Sequence, residues 1–260
     1  MLRGASITLR GTGGLALGRR RVSTAYAMST SALVRLSGLA LMAALPASVL
    51  GELLHPPAHG LAQQLTPGWT PAHLLLALQA LLTLLGLPLL YARQARQTGV
   101  LGLVAFVVLF VGLALSGVTA VYDAFVMPLL AQDPATAPLV DAAGRLANGP
   151  LAAGVDNAAL RSLVTTLPAG LGLLLFAGVT LAGGVYSRWV GLLPLLGAVF
   201  AVLRYAVPQG WYNAARESGT LPVGFGSIGA IAAALGFAVA GYALWKVRAS
   251  AHPLNAAPET

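Results

Sequence analysis

The chain has 260 residues, of which 57% are hydrophobic and only 8% charged, with a formal net charge of +8 and no cysteine. Soluble domains carry about 25% charged residues, so a soluble globule is excluded, as are disulfides, thiolate metal sites and thiol nucleophiles. The basic residues are scattered over short connectors, where they set topology and meet anionic lipid, which points to a bilayer and away from nucleic acid as a partner.

Residues 1–27 carry five arginines and no acid. That composition fits an organellar transit peptide, which would place the chain in an organellar inner membrane. The simpler expectation is that translation begins at Met28 and that 1–27 is a basic, disordered extension. The following "MSTSALVRLSGLALMAALPAS" has Leu45 and Met42 where a small-x-small cleavage site needs small residues, so it reads as an uncleaved first helix.

Spanning a bilayer takes roughly 17 to 25 mostly apolar residues in a helix. Six segments qualify, at about 36–54, 72–92, 99–122, 163–186, 189–207 and 221–245. Open backbone groups are costly in lipid, so runs of this length are helical. The expected fold is all-α, a polytopic membrane bundle of six transmembrane helices over residues 28–248, followed by a disordered tail at 249–260. Pro46, Pro88 and Pro194 fall inside helices as fixed bends. The longest connector, 131–162, is broken by Pro, Gly and Asn and lies on the outer surface as an interfacial segment or lid.

Both termini are expected in the cytoplasm. This orientation gives the inner side Arg35, Arg93, Arg96, Arg188, Lys246 and Arg248, together with the N-terminal arginines. The outer side then holds Arg145, Arg161 and Arg216, offset by Asp133, Asp141, Asp156 and Glu217. That bias is the positive-inside pattern. Trp69 and Trp211 at outer ends, and Trp189 and Trp245 at inner ends, are read as interfacial anchors.

The stretch "LPLLYARQARQTGVLGLVAFVVLFVGLAL", residues 87–115, resembles a pattern found in uncharacterised bacterial multi-pass membrane proteins. There a helix ends in a Leu-Tyr-x-Arg-Gln turn and the next begins Gly-x-Leu-Gly-Leu. The likeness covers two helices and one inner turn. It implies a bacterial cytoplasmic membrane and no particular activity.

The first apolar run ends in "GELLHPPAHG", residues 51–60, where Pro56 and Pro57 stop a helix. Glu52 and His55 share one helix face at the outer boundary. His73 begins the second helix and Asp123 ends the third, both at that same level. Arg204 lies inside the outer end of the fifth, where a cation costs roughly 2.5 to 3.5 kcal/mol unless it snorkels or pairs, so Glu52 and Asp123 are its expected partners. Gly112, Ser116, Thr119 and Asp123 form a small and polar stripe on the third helix. These residues are expected to line an outward-facing pocket for a ligand or ion. His55, His59 and His73 are candidate metal ligands, although the prolines between His55 and His59 break helical ligand spacing. No histidine pair faces across mid-membrane as a bis-imidazole haem needs, and no cofactor is implied.

Catalytic motifs fail. "GFGSIG" at 224–229 resembles the serine motif of a rhomboid protease, but the last helix carries no histidine to act as base. No HExxH and no phosphate-binding loop occurs. Small-residue faces, Gly170, Ala177, Thr180 and Gly184 in the fourth helix and Gly229, Ala233, Gly236 and Ala240 in the sixth, permit close packing, within the chain, with a second copy or with a membrane partner. The expected function is a permease-like protein or accessory membrane subunit with an outward polar pocket. The alternative is a membrane-embedded metal- or haem-binding redox protein.

Overall fold

The computed structural model describes residues 29–56, 61–138, 140, 167–206, 211, 214–215, 218–221 and 224–246, with backbone alone at 204–206. Its elements are α1 (Thr30–Leu54), α2 (Leu61–Gln64), α3 (Trp69–Gln132), α4 (Leu167–Gly183), α5 (Trp189–Ala206) and α6 (Phe225–Trp245). Among the described residues there is no strand. Three helices, α1, α3 and α6, are long and apolar enough to cross a membrane, and α4 and α5 are shorter apolar helices.

The helix ends follow local chemistry. α1 starts six residues before the apolar run because the Ser29 hydroxyl accepts from the Ala32 N–H at 3.2 Å, satisfying an otherwise open donor. It ends before Pro56. α4 stops at Gly183 because Gly184 takes the left-handed region at φ 62°.

The 64 residues of α3 are not one rod. Gly99, at φ 54° and ψ −141°, breaks the helix into two arms, 69–98 and 100–132. That backbone conformation is accessible to glycine and strained for any residue with a β-carbon. The arms fold back on each other: Trp69 Nε1 donates to the Asp123 carbonyl at 2.6 Å and the Thr70 hydroxyl to the Ala124 carbonyl at 2.9 Å. Nearer the turn, Tyr91 stacks on Phe106 at 4.8 Å. The second arm runs ten residues past the expected end at 122, since Ala124, Met127 and Ala131 continue its buried face. Asp123 therefore sits within a helix and does not end one.

Leaving aside the four-residue α2, each helix or arm packs antiparallel on the next in sequence, and α6 closes on α1. The contacts run through glycine. Gly51 meets Ala72 and Leu76, and Gly86 meets Ser37 and Leu41, joining α1 to the first arm. Gly112 meets Ala169 and Gly172 meets Leu109, joining the second arm to α4. Gly191 meets Ala177 and Leu181, Gly197 meets Gly229 and Ala233, and Gly38 meets Gly241. The faces of α4 and α6 that would serve an oligomer are thus largely used inside the chain, except that Gly170 and Gly184 face open space. Leu41, Leu87, Leu90, Leu109, Phe176 and Phe237 fill the middle of this ring.

This arrangement sorts charge. Among described residues with their side chains, Arg35, Arg93, Arg96, Arg188 and Lys246 lie at the end holding the Gly99 turn, and Glu52, Asp123 and Asp133 lie at the other.

Candidate functional site

The acidic end of the bundle brings together α1 and both arms of α3. His73 is one turn into the first arm, and its Nδ1–H donates to the Trp69 carbonyl at 2.8 Å. A carbonyl can only accept, so the proton is fixed on Nδ1 and Nε2 is turned outward. Nε2 faces Asp123 Oδ2 across 3.8 Å, with both side chains almost wholly buried. His55, which caps α1, places its ring 4.8 Å from that of His73 and 6.0 Å from Trp69, its own Nδ1 donating to the Pro56 carbonyl at 2.8 Å. Trp69 and His73 rings are 4.3 Å apart. Glu52, half-buried, is one turn before His55 on α1.

Four of the five candidates thus share one level and adjoining helices. Arg204 lies two residues before the end of α5, which packs between α4 and α6, and its side chain is outside the described residues. Among the described residues, His73 faces Asp123. The Ser116 and Thr119 hydroxyls donate to the Gly112 and Leu115 carbonyls of their own helix, at 2.8 and 2.9 Å. Among the described residues no group of three or more His, Asp or Glu side chains could hold a metal ion, and His59 lies outside them.

Trp69 is a correction of a different kind. It is not an interfacial anchor, being only 1% exposed and bonded across the hairpin, whereas Trp189, Trp211 and Trp245 are exposed. Its sequence signal was its position four residues before His73, the spacing that stacks two rings on one helix face.

The opposite, basic end holds groups that motif reading passed over. Tyr186, in the connector between α4 and α5, donates from its hydroxyl to the Leu90 carbonyl at 3.0 Å. The Arg93 guanidinium covers its ring at 5.5 Å. Burial pushes the Tyr186 phenol above its ordinary value, and the nearby Arg93 charge opposes this more weakly.

No protein-family model, curated protein or solved structure matches the chain.

Proposed function

We propose that the chain is a multi-pass protein of a bacterial cytoplasmic membrane, permease-like, in which His73 and Asp123 bind and release a proton on the outer side. Six spans, counting each arm of α3 as one, put both termini in the cytoplasm. The charge sorting supports this orientation through the positive-inside rule.

The observation that carries the reading is the His73–Asp123 pair, buried on adjoining arms at the acidic end. Holding helices together does not require ionisable groups there. Neutral packing serves as well or better, and buried ion pairs in membrane segments mark proton and solute pathways. With Nδ1–H held by the Trp69 carbonyl, a second proton on Nε2 faces the carboxylate across 3.8 Å, and its loss leaves the pair negative. His55 and Glu52 extend the titratable chain along α1.

The test is proton entry into liposomes holding the purified protein and a pH-sensitive dye, driven by a potassium diffusion potential. Asp123→Asn and His73→Gln are each expected to slow entry about a hundredfold or more, the lower end of the usual scale for losing a positioned proton-transfer group. Equal rates in wild type and both variants, at equal reconstituted amounts, would remove the proton from the reading.

A further inference from the structure

The first arm of α3 presents Leu87, Leu90 and Gln94 to the bundle interior, the face expected at spacings of three and four. Gln94 is 0% exposed, yet neither its amide nitrogen nor its amide oxygen has a hydrogen-bond partner. On α4, Thr180 follows Phe176 and Ala177 on the buried face, and its hydroxyl also lacks a partner. Buried polar groups are nearly always satisfied, and orphaned ones cost free energy that hydrophobic replacements would recover.

The two residues stand at one depth in the bundle. Gly183 lies against Thr98 and Gln97, so the end of α4 adjoins the end of the first arm, and both segments run toward the basic face. Gln94 and Thr180 each stand one turn before that contact. Tyr186 and Arg93 close over this level. The Tyr186 hydroxyl reaches Leu90 on the first arm, while Arg93 lies on its ring and donates weakly to the Ala243 carbonyl of α6 at 3.4 Å.

We propose that Gln94 and Thr180 form a binding site at the basic end, closed by Tyr186 and Arg93, for a small neutral solute of the primary amide or urea class. An amide edge offers a donor and an acceptor side by side, which pairs with a ligand carrying the complementary pair. The Thr180 hydroxyl supplies a third hydrogen bond of either sense. The charged side chains at this end, Arg35, Arg93, Arg96, Arg188 and Lys246, are exposed, and nothing charged is buried beside the amide among the described residues. A charged ligand would therefore face its desolvation cost without a buried counter-charge. This site stands apart from the proton reading at the opposite end and does not depend on it.

The experiment is saturation-transfer NMR on the full chain in detergent, with acetamide and acetate as near-isosteric neutral and charged probes. Wild type is expected to transfer saturation to acetamide and much less to acetate. Gln94→Leu and Thr180→Val should each weaken the acetamide signal roughly tenfold, the factor for about one hydrogen bond, while melting at or above the wild-type temperature because each removes an orphaned buried group. Gly178→Ala, facing open space, is the matched control and should keep the signal. A preference for acetate overturns the neutral ligand. Absence of signal with both probes, or an acetamide signal unchanged in folded Gln94→Leu, makes the amide a structural group and overturns the site. Binding in detergent and proton entry in liposomes are separate readouts, so failure of one leaves the other standing.

Discussion

Trp69 is one of the side chains that join the two arms of α3. Its indole N–H donates to the Asp123 carbonyl and its own carbonyl orients His73. Trp69→Phe keeps most of the ring and removes one buried hydrogen bond, so it should cost about 0.5–1.5 kcal/mol, more if the carbonyl is left dry. Denaturation of the detergent-solubilised protein checks this. At Tyr186 the phenol titrates above its ordinary value, so the folded state keeps its proton where the unfolded chain loses it. The stabilisation is full below the ordinary tyrosine range near pH 10 and falls as pH rises through it. Stability measured at rising alkaline pH should drop more steeply for wild type than for Tyr186→Phe. At this scale the sequence disclosed depth and concealed partners. Helix length placed Glu52, His55, His73 and Asp123 at one level, but the rotation of each helix decides who faces whom, and that rotation comes from packing at glycines such as Gly51 and Gly112. Gln94 was invisible for the same reason: a glutamine in "YARQARQ" reads as part of a solvated turn until Leu87 and Leu90 fix which face is inward.

Among the elements, the hairpin turn is the most exacting. Gly99→Ala meets open space, so any cost comes from backbone strain and should be on the order of 1–3 kcal/mol. Gly112→Ala has the opposite cause: an ordinary helical backbone, but a β-carbon that would overlap the backbone at Pro168 and Ala169. Overpacking of this kind costs typically 1–3 kcal/mol. Gly170→Ala, in the same contact region yet facing open space, should change stability little. Melting temperatures of the three variants check the set, and equal losses at Gly112 and Gly170 would contradict the packing. The six apolar runs were legible because hydrophobic length is a strong signal. Their ends were not, since they depend on a Ser29 cap, on Gly184 and on the buried stripe Ala124, Met127 and Ala131 that carries α3 past 122. The small-residue face of α4 was half right: Ala177 and Thr180 are buried, but the glycine that touches the neighbouring helix is Gly172 and not Gly170.

For the whole molecule, closure of α6 on α1 has a topological consequence. An even number of antiparallel neighbours returns the chain to its starting face, so Thr30 and Trp245 lie at the same end, with the Gly99 turn and the 184–188 connector. All five described cations with their side chains lie at that end too. Positive charge resists translocation, so in the proposed orientation this end faces the cytoplasm and the His73–Asp123 pair the outer side. The chain has no native cysteine, so single cysteines report position without background. Ser187→Cys, exposed at the basic end, and Thr220→Cys, exposed between α5 and α6, stand on either side of α5 in the chain. With the proposed orientation, a membrane-impermeant maleimide should label Cys at 220 in intact cells and reach Cys at 187 only after permeabilisation. The reverse pattern would invert the orientation and put the buried pair on the cytoplasmic side, where it could not receive protons from outside. Labelling of both sites in intact cells would mean that α5, only 18 residues long, does not separate two compartments. The charge sorting would then describe a folded surface and not a membrane crossing.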